Sequence, residues 1–212
     1  MCFSVKATAK ASKLAERYGI HQDIDDALRA VQERMNGFDH PELAVVTDGE
    51  LSLMRWGLIP AWVKTRDDAL DIRNHTLNAR AETVFDKPSF RDAIRHRRCV
   101  VPVDEFYEWR HEGKEKIPYR IMANGEQLLS LAGIWERWCS PHTGTPVNTF
   151  SILTCAANPM MAVIHNSKLR MPVVLSIDSV PEWLSPELDE KRIKELASPC
   201  PDEWLMAELI TK

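Results

Sequence analysis

The cysteine at position 2 carries the most distinctive chemistry in this chain. Residue 2 is small enough for the initiator Met1 to be removed, and Cys2 would then carry a free α-amine beside its thiol. Such a 1,2-aminothiol reacts with aldehydes as no internal cysteine does. The amine condenses to a Schiff base, and the thiol adds to the same carbon to close a five-membered thiazolidine. Closure is intramolecular, so its effective molarity is high. An α-amine titrates near about 7.7–8.0, against about 10.4 for a lysine, so a useful fraction is neutral at cytosolic pH. Position alone leaves a second reading open, a frayed chain end with no role. The other cysteines, Cys99, Cys139, Cys155 and Cys200, are scattered and form no C-x-x-C pair. The odd total argues against a disulfide framework or a zinc site and fits a reducing cytosol.

Several predicted elements would have to position such a residue. Thr8 to Tyr18 reads as a helix with Leu14, Ala15 and Tyr18 on one face, and Ile24, Leu28, Val31 and Met35 recur at helical spacing. Leu43–Val46 and Leu51–Leu58 flank Thr47-Asp48-Gly49-Glu50, a hairpin signal. Ser89 with Asp92 forms a capping-box pattern for a helix running to about His96. Strands are predicted over Arg98–Val103, Asp104–Arg110, Ile117–Met122, Gln127–Trp135, Thr149–Cys155 and Met171–Leu175. Asn158-Pro159 starts a short helix, with Asn as cap and Pro at the first helical position, that ends near His165. Two acidic helices follow near Val180–Leu184 and Glu190–Ala197. The strands mostly succeed one another without helical crossovers. The expected fold is therefore α+β, one domain over residues 1–212 with a mostly antiparallel, barrel-like β core flanked by short helices.

Composition bounds the function. The chain of 212 residues has a formal net charge of −4, so a nucleic-acid site would be a local basic patch on an acidic body. No run of about 18 apolar residues reads as a membrane span, and the start lacks the apolar core of a secretory signal. Arg73, His75 and Arg80 surround Asn78. If this stretch is a strand, Arg73 and His75 point one way and Asn78 and Arg80 the other. The run Arg95-His96-Arg97-Arg98 ends a predicted helix, where cations complement the dipole. Trp56 and Trp62 are both candidates for stacking unpaired bases. Trp56, in a predicted strand, also reads as core; Trp62, in a probable loop, is the better candidate.

Four segments are informative together: MCFS, LNARAET around Asn78, VDEFYEW around Glu108 and VIHNSKLRMPVVL around His165. In this order they resemble the SRAP family, the SOS response-associated peptidases or abasic-site processing proteins. MRWGLIPAW and KPSFRDAI look like family segments too, and the resemblance runs from Met1 to about Leu184. It implies that Cys2 is the nucleophile once Met1 is lost, that Asn78 holds the cysteine, and that Arg80 contacts phosphate. It implies further that Glu108 is the catalytic glutamate near the α-amine and that His165 acts on the sugar. The implied partner is single-stranded DNA containing abasic sites, bound by a monomer that is cytoplasmic, or nucleoid-associated on DNA. No cofactor or metal is implied.

The residue chemistry is compatible. Glu108 would share a strand face with Phe106 and Arg110, with Glu105 on the other face, and a carboxylate beside an amine can shuttle its proton. His165 at a helix C-terminus would favour imidazolium and could protonate the sugar ring oxygen. Asn78 offers both donor and acceptor. The plainer alternatives are a solvated strand glutamate, a helix-capping histidine and a turn asparagine. Two departures stand out: Phe3-Ser4 where many members have Gly-Arg, with a phosphate-contacting arginine, and Asn36-Gly37-Phe38-Asp39-His40-Pro41 where many have N-V-A-P. Two other functions remain: a thiol peptidase using Cys2, with self-processing at Met1-Cys2, and a non-covalent single-stranded-DNA binding module.

Overall fold

The structure is a computed structural model, and it describes residues 2–21, 32–125, 128–141 and 143–211. The chain enters through a strand, β1 (Ser4–Ala7), and a helix, α1 (Ala11–Tyr18). Next come β2 (Gln32–Asn36), β3 (Glu42–Val46), β4 (Leu51–Trp56), α2 (Arg66–His75), β5 (Asn78–Arg80) and α3 (Ala93–His96). Five longer strands follow: β6 (Arg98–Val103), β7 (Glu105–Glu112), β8 (Glu115–Ala123), β9 (Leu129–Cys139) and β10 (Pro146–Ala156). The last elements are α4 (Pro159–Ile164), β11 (Arg170–Pro172), β12 (Val174–Leu175), α5 (Val180–Leu184), α6 (Glu190–Leu196) and β13 (Leu205–Leu209).

Strands β10, β4, β3, β6 and β9 pair in that order, and β9 pairs back onto β10, which closes a five-stranded barrel. The α+β, mostly antiparallel, barrel-like fold expected from the strand succession is the one observed. Two pairings among the described residues are parallel, those of β4 and β5 with β10. Closure removes the sheet edges. It also crowds the barrel at Gly133 of β9, where a Cβ would stand 2.9 Å from Cys99 Sγ and 3.1 Å from the Ser151 carbonyl. Trp56 and Phe150, both fully buried, stack in the core with ring centroids 6.1 Å apart. A second sheet runs β13-β8-β7-β1-β2, so β1 lies between two partners in its interior.

The hairpin forms as predicted, with Val46 opposite Leu51, Gly49 at φ +76° and the Thr47 N–H donating to the Glu50 carbonyl. Asn158 caps α4 by accepting from the Met161 N–H at 2.9 Å, with Pro159 at the first position. Other expectations fail. Arg73 and His75 are not on a strand but in the last turn of α2, whose cap is Thr65 accepting from the Asp68 N–H at 3.1 Å. Met35 lies in β2 rather than in a helix, and most of that predicted helix lies outside the described residues. The capping box at Ser89 does not start a helix. The Asp92 carboxylate binds Arg97 instead, and only Ala93–His96 is helical. The Arg95–Arg98 run is structural: Arg95 pairs with Glu190, Arg97 with Glu136, and buried Arg98 donates to the Ile94, Arg95 and Trp183 carbonyls. No helix among the described residues is long and apolar enough to cross a membrane.

Candidate active site

The chain end at Cys2 is not frayed. β1 pairs with β2 on one side and β7 on the other, with Val5 opposite Met35 and Phe106. The Gly37 N–H donates to the Phe3 carbonyl at 2.8 Å, and the Cys2 side chain is 0% exposed. Asn78 reaches it from β5, which is held parallel to β10 with Asn78 opposite Ile152. The Asn78 Nδ2 donates to the Cys2 carbonyl at 2.9 Å, and its buried Oδ1 has no hydrogen-bond partner among the described residues.

Glu108 comes from β7. Strand alternation separates it from Glu105, whose carboxylate accepts from the Tyr107 hydroxyl at 2.7 Å and pairs with Lys6 at 3.6 Å. Glu108 is 3% exposed. Burial raises its pKa from 4.5 to about 7, against the opposing pull of the amino-terminal charge and the Trp109 N–H. Burial and the nearby Glu108 carboxylate also push the Cys2 thiol well above its usual range. The thiol is therefore kept protonated, and the carboxyl is poised near neutrality.

His165 ends α4, its N–H donating to the Met161 carbonyl. Its Nδ1 meets the Arg170 carbonyl at 2.8 Å. A carbonyl can only accept, so Nδ1 carries the proton and Nε2 is left facing the Glu108 Oε2 at 3.7 Å. That separation exceeds hydrogen-bond reach and is an ion-pair distance only when the ring is charged. The expectation that the helix end favours imidazolium is corrected here. Burial lowers the His165 pKa and outweighs the Arg170 carbonyl, and so disfavours imidazolium.

The sequence model of the SOS response associated peptidase (SRAP) family matches residues 1–212. The chain belongs to this family. It is 43% identical over 149 residues to "Abasic site processing protein YoaM" of Bacillus subtilis, a match covering 68% of this chain and 62% of that protein. It is 35% identical over 151 residues to "Abasic site processing protein HMCES" of Gallus gallus, covering 62% of this chain and 44% of that one. A crystal structure of a Bacteroides thetaiotaomicron protein superposes with a TM-score of 0.95 at 42% identity, covering 99% of this chain and 92% of that one. A Bordetella bronchiseptica structure, at 23% identity and TM-score 0.85, shares the fold.

The other candidates of this SRAP chain separate. Arg80 is exposed on the side of β5 that carries Asn78. Trp62 is 55% exposed, with its indole N–H directed at the Pro88 carbonyl at 3.4 Å, and leaves an aromatic face open. Trp56 is corrected: it is wholly buried, its Nε1 donates to the Leu77 carbonyl, and it cannot stack a base. His75 pairs with Asp71 at 3.8 Å, and half-buried Arg73 has its pKa lowered by burial and by Arg55; both lie in the last turn of α2. No group of three or more His, Cys, Asp or Glu among the described residues is placed to hold a metal.

Residue-by-residue reading missed three contributors. Arg170 supplies the carbonyl that sets the His165 tautomer, while its guanidinium pairs with Glu82 and donates to the Thr154 carbonyl. Its place in L-R-M-P was visible, but its backbone role was not. Asn166 fastens the His165 loop to β7, donating to the His111 carbonyl at 2.9 Å and accepting from the His111 N–H at 3.0 Å. Arg34 approaches Ser4 from β2, with Nε 3.5 Å from the Ser4 Oγ. Next to it Phe3 meets the exposed Phe38, ring centroids 5.0 Å apart, in the loop that departs from N-V-A-P.

Proposed function

We propose that this protein captures abasic sites in single-stranded DNA as a covalent thiazolidine on Cys2, after loss of Met1, with residues 1–212 acting as one domain. The observation that carries the reading is a convergence at one buried cysteine. An amide binds its carbonyl, a carboxyl near 7 senses its thiol, and a neutral imidazole faces that carboxyl. The relatives named as abasic site processing proteins support the substrate.

In the proposed sequence the Glu108 carboxyl, partly protonated at pH 7, lends a proton for opening the sugar to its aldehyde. His165 Nε2, fixed by the Nδ1–Arg170 bond, carries that proton to the ring oxygen as the ring C–O bond breaks, and the anomeric hydroxyl proton returns to the Glu108 carboxylate, so opening is an isomerisation with no net proton change. The Cys2 amine adds to the aldehyde carbon and water leaves, giving an imine. The S–H then adds across C=N: sulfur bonds to carbon, and its proton ends on nitrogen. The net change is aldehyde plus aminothiol giving thiazolidine plus water, with no oxidation. Arg80 and Trp62 serve the strand as phosphate contact and stacking surface. A duplex would bury the sugar, which favours single strands. A thiol peptidase needs a thiolate, and the environment of Cys2 disfavours one, so that reading is the weaker.

The test is a denaturing gel of the protein with a single-stranded oligonucleotide carrying one abasic site. A shifted band that requires Cys2 and a free N-terminus is expected. A heat-stable band with Cys2→Ser, or adducts mapped by mass spectrometry to another side chain, would refute capture through Cys2.

A further inference from the structure

Arg34 lies on the outer face of the five-stranded sheet, opposite the face that carries Glu108. Its guanidinium carbon is 4.4 Å from the Tyr107 ring centroid and 5.5 Å from that of Trp109, while Nε reaches Ser4 Oγ at 3.5 Å. Ser4 is two residues from Cys2, roughly 7 Å of extended chain. The neighbouring cations are occupied: Lys6 pairs with Glu105, and Arg120 pairs with Glu208. Among the described residues no carboxylate lies at ion-pair distance from exposed Arg34, and its two terminal nitrogens meet no acceptor. A guanidinium held over two aromatic faces is oriented before a ligand arrives. Its free fork matches the paired oxygens of a phosphate. It is also uncompensated positive charge on a chain of formal net charge −4.

We propose that Arg34 binds a backbone phosphate of the nucleic-acid strand whose lesion Cys2 captures. The inference rests on the capture reading above. It adds a second phosphate contact to the one proposed for Arg80.

A single-stranded oligonucleotide with one tetrahydrofuran, an abasic analogue lacking the aldehyde, isolates this contact from the covalent chemistry. Binding is measured against salt for wild type, Arg34→Lys, Arg34→Gln and Arg34→Met. The last two both keep a stem over the rings and remove the charge. The neutral variants are expected to bind about tenfold more weakly at low salt, with the slope of log K against log salt shallower by about 0.7, whereas Arg34→Lys keeps the slope. An unchanged slope in the neutral variants overturns the proposal whatever the affinity, because lost strand packing alone does not reduce counterion release. A wild type that fails to bind the probe sinks the capture reading itself. A wild type that binds, with neutral variants that match it, sinks only the phosphate role.

Discussion

Glu108→Gln should stabilise the protein above neutral pH while slowing its chemistry. The folded-state pKa of Glu108 is raised from 4.5 to about 7, chiefly by burial. A carboxyl shifted upward favours the folded state only while protonated. Below about 4.5 it is protonated folded and unfolded and has no effect on the balance. Between 4.5 and about 7 the unfolded chain ionises first and stability falls; above about 7 the loss levels off. The interval corresponds to about 3 kcal/mol, at about 1.4 kcal/mol per pH decade. A glutamine of the same shape does not titrate. Denaturant unfolding of both proteins at several pH values isolates the residue, since every other titrating group, His165 included, is common to both. The stability difference should be small near pH 4.5 and reach about 3 kcal/mol in favour of glutamine by pH 8. A difference that stays flat with pH, or grows in favour of the wild type, would show that the carboxyl is not held near 7 by burial.

Adduct formation should peak near neutral pH. It rises as the Cys2 amine loses its proton, near about 7.7–8.0, and falls as Glu108 ionises above about 7; a rate measured against pH for wild type and Glu108→Gln should lose the falling limb in the variant. Trp62→Ala should weaken binding of a single strand by roughly 1–3 kcal/mol without shifting the melting temperature. Trp56→Ala should do the reverse, lowering stability by about 3–5 kcal/mol in thermal unfolding. Gly133→Ala should destabilise the barrel by about 1–3 kcal/mol by the same measurement, because its methyl would meet Cys99 Sγ and the Ser151 carbonyl.

Elements whose signals are local were legible in the chain. The Asp48-Gly49 turn, the Asn158-Pro159 helix start and the alternation that parts Glu105 from Glu108 all depend on neighbours in sequence, and each recurs in the fold. The Thr65-x-x-Asp68 cap is equally local, and a reading without it misses α2 and leaves Arg73 and His75 on a strand. What sequence does not carry is the placement of β1, since strand order within a sheet depends on long-range pairing. The tautomer of His165 was hidden for the same reason, because it depends on the backbone of Arg170 after a loop whose Leu169 adopts φ +52°. The predicted charge of His165 failed because helix-end stabilisation, about 0.3–1 kcal/mol, is smaller than the desolvation of a buried ring.

The insertion of β1 connects the fold to the chemistry. A chain terminus on a sheet edge would leave its carboxyl neighbour in water, with a pKa near 4.5 and no proton to lend at pH 7. Threading β1 between β2 and β7 buries Glu108 together with Cys2, and that burial brings the carboxyl to about 7. The same burial suppresses thiolate formation at Cys2, and in the proposed capture that favours the amine as first nucleophile. In the proposed capture, imine formation before ring closure is thus tied to where one short strand sits. A variant that loosens β1 without touching Cys2, such as Val5→Ala at a fully buried position, should lower the Glu108 pKa and slow adduct formation together. If the rate fell while the pH profile stayed where it was, strand placement would not be what tunes the carboxyl.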